Sequence, residues 1–266
     1  MASFSVVSNV SAVNAQANLN TTNIGLQKSL ERLSSGYRIN RSGDDAAGLV
    51  VANQYRSDIA VLTQGLRNAG DGLSTLQIQD GALNNIAQLL DRMSTLATQS
   101  ASASSTVDRS ILNAEFQDVI TEIAREASVA GLENAQGFSV FVSSDGSNGT
   151  VGGTIAAVST TSLGIASLTI ATAADATTAV STITTAVATL GSAQATVGTI
   201  QNRLQYAMSL AQSQITNTKA AESRIRDANI AEESANLTRF SILTQSGIAA
   251  LAQANQMTGS VLSLLR

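Results

Sequence analysis

Residues Ile59–Leu76 read IAVLTQGLRNAGDGLSTL. Within them Ile59, Leu62, Leu66, Ala69, Leu73 and Leu76 recur at alternating steps of three and four. That spacing places every apolar side chain on one stripe of an α-helix and is the heptad signature of a coiled-coil seam. Beyond the polar Asp80 the register resumes at Leu83, Ala87, Leu90 and Ala97. The acidic pair Asp44-Asp45 suits an N-cap and first turn, so the spacing predicts one long helix over 44–99.

Working outward, a small polar break at 100–106 precedes a second predicted helix over 107–130, with Ile111, Phe116, Val119, Ile120 and Ile123 on one side. A second long pattern begins near Asp175 and runs through Val180, Ile183, Val187, Leu190, Ala193, Val197, Ile200, Leu204, Ala207, Ala211 and Ile215. At 1.5 Å per residue the helices over 44–99 and 175–226 span about 84 Å and about 78 Å, matched lengths that suit an antiparallel coiled-coil rod. The intervening 131–174 gathers Gly and β-branched residues. Its short runs 138–142 and 165–170 read as a small β-hairpin, and 143–153 between them reads as an exposed loop. The fold class is mainly α.

Composition agrees. The 266 residues include no Pro, Cys, His or Trp. Pro is the strongest helix breaker, and its absence permits long uninterrupted helices. Without Cys or His the usual structural zinc sites and the Ser-His-Asp and Cys-His nucleophilic arrangements are excluded. No cofactor or metal is called for. Fifteen Lys and Arg against 19 Asp and Glu give a net charge of −4, opposite in sign to a nucleic-acid footprint. Polar residues interrupt every apolar stretch, so no window can insert into a membrane as a spanning helix. Residues 1–17 carry no positive charge and no continuous apolar run, so a signal peptide of the general secretory kind is not expected there.

The chain ends are apolar on more than one face. Val6, Val10, Val13, Ala17 and Ile24 form one stripe, and Leu19, Leu26, Leu30 and Leu33 form another; the opposite end carries Leu237, Phe240, Ile248, Leu251, Leu262 and Leu265. A helix with one partner needs one apolar face, so two faces imply burial inside an assembly. The alternative is that both ends complete one intramolecular bundle.

Two motifs at opposite ends carry a resemblance. LERLSSGYRIN at 30–40 and DDAAGL at 44–49 resemble the N-terminal signature of bacterial flagellins. ESRIRD at 222–227, AEE at 231–233, NLT at 236–238, AALAQANQ at 249–256 and VLSLLR at 261–266 resemble the flagellin C-terminus. The resemblance covers roughly 1–130 and 175–266. It implies a structural, non-enzymatic filament subunit: terminal helices 1–43 and 227–266 form an inner filament-core domain, and 44–226 form a helical rod with its hairpin region at about 131–174. It implies assembly as a homopolymer, for motility, through Ile24, Leu26, Leu30, Leu33, Leu237, Phe240, Leu251, Leu262 and Leu265. Further implied partners are the flagellar type III export apparatus, a chaperone of the C-terminal helix and a filament cap protein. The implied location is the extracellular flagellum, reached by secretion without cleavage. With only about 45 residues between its rod halves, the chain resembles a short form lacking large outer domains.

Polar residues cluster at the joints between ends and rod. Arg32, Arg38, Arg41, Arg224 and Arg226, opposed to Asp44, Asp45, Asp227, Glu232 and Glu233, are candidates for pairing between neighbouring subunits. Adjacent carboxylates on a helix point about 100° apart and do not converge on a metal ion. Arg92 and Glu115 fall where the family's patch for the innate immune receptor TLR5 would lie. The family pattern has Gln before that Arg and an Arg-Glu pair after it, where this sequence has Asp91, Ser94 and Thr95. Those departures argue against strong receptor binding and favour a packing or solvated helix face. The Ser/Thr-rich stretch 158–172 is expected to face solvent. Other readings are a hook–filament junction protein, which shares weaker forms of the terminal motifs, and a membrane-active amphipathic protein. The two lysines, Lys28 and Lys219, are few for attraction to anionic lipid.

Overall fold

Five helices and one hairpin make up the structure, a computed structural model that describes residues 9–102, 108–143 and 149–264, with side chains described as far as Gln256. In chain order these are α1 (Val10–Ser35), α2 (Ala46–Ala101), α3 (Arg109–Val129), β1 (Gln136–Phe141), β2 (Thr150–Ile155), α4 (Ala173–Arg226) and α5 (Ile230–Leu264). Two compact units result. One comprises Met1–Ser57 with Thr218–Arg266, the other Asp58–Asn217.

In the second unit the heptad reading of α2 is realised: Leu62, Ala69, Leu76, Leu83, Leu90 and Ala97, each seven residues from the last, are all buried. Ile59, Leu66, Leu73 and Ala87 flank them half-buried. From Ala82 onward α2 buries a second row, Ile86, Met93 and Leu96. There α3 contributes Leu112, Phe116, Ile120, Ile123 and Ala127 to the same apolar cluster. Ile111, expected on that face, is 65% exposed, and Leu112 takes its place. One residue is 100° of helix, so neighbouring apolar positions compete for a single inward direction.

The α4 seam also departs in detail. Ala176, Ala179, Ile183, Ala186 and Leu190 are buried, whereas Val187 is exposed and Val180 half-buried. Small residues face the core there because α2, α3 and the segment after β2 supply the larger side chains of the cluster. From Ala193 through Val197, Ile200, Leu204, Ala211 and Ile215 the expected positions are buried, with Ala207 among them half-buried.

The hairpin is real but differently threaded. β1 pairs antiparallel with β2, Gln136 opposite Ile155 and Phe141 opposite Thr150, so the second strand lies partly in the stretch read as loop. Glycine misleads here. Gly152 and Gly153 lack β-carbons where Phe138 O and the Ile200 side chain approach, which in a strand marks close contact and not a turn. Residues 165–170, expected as a strand, form turns instead, with Ile165 and Ile170 fully buried as apolar anchors. The stretch 158–172 is therefore only partly solvated: Val158 and Leu163 are buried, while Thr161 and Ser162 are exposed. Ser100 Oγ donates to Ile170 O at 2.6 Å, Asn113 Oδ1 accepts from Ile170 N at 2.9 Å, and Gln117 donates to Leu168 O at 2.8 Å, holding this segment on α2 and α3.

Candidate assembly surface

The terminal unit is built on the pairing of α1 with α5. Ser29 meets Glu233, Gly25 meets Phe240, Leu19 meets Gly247, and Asn9 Nδ2 donates to Ala254 O at 2.9 Å. Numbers fall along one helix as they rise along the other, so the pair is antiparallel. Leu19, Leu26 and Leu33 from α1 and Leu237, Phe240 and Leu251 from α5 are half-buried. They form the seam.

The other α1 stripe faces outward. Val10 is 64% exposed, Val13 62% and Ile24 61%. At 100° per residue these positions, with Ala17, stand on the side of α1 opposite the leucine seam. Leu30, expected with the second stripe, is also exposed, as are Ile242, Leu243 and Ile248 of α5. The stripe of Val10, Val13, Ala17 and Ile24 is thus left uncovered, whereas of the leucine stripe Leu19, Leu26 and Leu33 are used within the chain and Leu30 is not. Leu262 and Leu265 lie outside the residues whose side chains are described.

At the joints, polar residues converge within the chain. Glu233 is buried at 7% exposure, accepts from Arg32 Nη1 at 2.8 Å and from Ser29 Oγ at 3.0 Å. Burial pushes its pKa up, but the Arg32 and Ser29 hydrogen bonds outweigh this, and the carboxyl is held below its ordinary value. Asp44 pairs with Lys28 Nζ at 2.7 Å and accepts the backbone N–H of Asn40 and Arg41. The Lys28 hydrogen bond is the main cause that lowers its pKa from 3.8 to about 2. Glu31 Oε1 accepts from Asn40 Nδ2 at 2.8 Å and from Arg41 Nε at 2.9 Å. Asp45 caps α2, accepting from Gly48 N at 2.9 Å.

The turn after α1 uses Gly36, whose φ of 74° closes the helix with its N–H on Arg32 O. Tyr37 then forms an isolated antiparallel bridge with Asp227. Arg38 N donates to Arg226 O at 2.7 Å, Ala228 N to Gly36 O at 2.9 Å, and Arg38 Nη2 to Ile225 O at 2.6 Å. The Arg226 guanidinium stacks 4.2 Å over the Tyr37 ring. Ile39 beside them is fully buried. Of the candidates for pairing with neighbours, Arg32, Arg38, Arg41, Asp44, Asp45, Arg226, Asp227 and Glu233 therefore have partners in their own chain. Arg224 and Glu232 are exposed.

Sequence reasoning did not single out Ser29, Lys28, Tyr37 or Ile39. Ser29 had only a spacing signal: it stands three residues after Leu26 and four before Leu33, on the inward side of α1. In the other unit Arg92 and Glu115 are brought together as an ion pair between α2 and α3, each about half exposed. Among the described residues no group of His, Cys, Asp and Glu is placed to hold a metal ion, and no helix is long and apolar enough to cross a membrane.

Comparisons agree with the terminal motifs. Residues 6–138 match the family described as the bacterial flagellin N-terminal helical region, and residues 180–265 match the bacterial flagellin C-terminal helical region. The chain is 38% identical to the "Flagellar filament 33 kDa core protein" of Treponema phagedenis, over 97% of this chain and 98% of that protein. It is 36% identical to a flagellin of Halalkalibacterium halodurans, with the same coverage of both. Among solved structures, a crystal structure of Bacillus cereus flagellin is 30% identical, covers 59% of this chain and 94% of that one, and gives a TM-score of 0.48.

Proposed function

This chain belongs to the bacterial flagellin family, a structural and not an enzymatic family, and from that premise we propose that it is a repeating subunit of the bacterial flagellar filament that polymerises through its terminal helices. The observation that carries the mechanism is the uncovered stripe of Val10, Val13, Ala17 and Ile24 opposite the α1·α5 seam. An apolar stripe on a helix already paired on its other side gains free energy by burial against another copy. Leu30, Ile242, Leu243 and Ile248 are further exposed apolar residues available for burial, and the exposed Arg224 and Glu232 supply charges for neighbours.

In this reading the filament-core domain is 1–43 with 227–266, and 44–226 with its hairpin region forms the rod. Supported by family alone are export through the flagellar type III apparatus to the cell exterior, a chaperone on α5 and a cap protein at the growing tip. Recognition by the innate immune receptor is weak in this reading, because Asp91, Ser94 and Thr95 replace the family's contacts around Arg92.

The test is seeded growth. Purified chain is added to filament fragments and imaged by electron microscopy beside a version trimmed to residues 44–226. Growth by the intact chain alone is expected. Growth by the trimmed chain, or growth by neither accompanied by deformation of liposomes by the intact chain, would overturn the proposal.

A further inference from the structure

No further inference is drawn: the strongest candidate, the exposed apolar pair Tyr206 and Leu210 on the surface of α4, carries none because nothing in the structure shows what covers it.

Discussion

The ring of Phe240 occupies the space above Gly25, with Cε1 and Cζ each 2.7 Å from where a β-carbon would stand. A rigid ring cannot yield as a flexible chain does. Gly25→Val should therefore overpack the α1·α5 seam by about 1–3 kcal/mol, more than the improved helix propensity returns. The expected readout is a raised critical concentration for seeded growth, with Phe240→Leu in the same chain relieving most of it.

The two faces of α1 separate under substitution. Ile24→Asp on the outward stripe should leave α1·α5 pairing intact yet stop elongation. Leu26→Asp, on the seam, should disrupt the pairing itself. Hydrogen exchange of the terminal helices distinguishes them: protection retained in the first variant and lost in the second.

Acid should loosen the terminal unit from its joints. Asp44 is held at about 2 against an ordinary 3.8, and Glu233 is held below 4.5. For carboxyls depressed by folding, the contribution is fully present above the unfolded values and is lost as pH falls through the folded ones. Terminal helicity should thus be flat from pH 7 to about pH 5 and decline from there toward pH 2. Asp44→Asn should flatten the lowest part of that titration, followed by circular dichroism.

Within the other unit, Phe116 is fully buried among residues of the apolar cluster. Phe116→Ala should cost about 3–5 kcal/mol in denaturant unfolding. Arg92→Ala should cost less than about 1 kcal/mol, because the Arg92–Glu115 pair is half exposed and solvent-screened.

The contrast between these residues also explains what was legible in the sequence. The six buried positions from Leu62 to Ala97 follow from a strict seven-residue repeat, which depends only on local spacing. Where two apolar residues are neighbours, as at Ile111 and Leu112 or Ala186 and Val187, spacing does not say which points inward; the facing elements decide. β2 was hidden because Gly152 and Gly153 have the composition of a loop and the role of a close contact. The terminal motifs revealed the family and both apolar stripes. They did not reveal the network that joins them: Glu233 stands 201 residues from Arg32 and 204 from Ser29, and no local pattern encodes such a meeting.

The bridge at Tyr37 and Asp227 closes the chain on itself, as does the Arg38 contact with Ile225, 187 residues away. For so large a ring the entropy of closure depends only logarithmically on contour, and doubling the enclosed length costs only about 0.6 kcal/mol. The closure is therefore nearly indifferent to what the ring contains. Lengthening the connection between β1 and β2 would leave the closure entropy of the two ends almost unchanged.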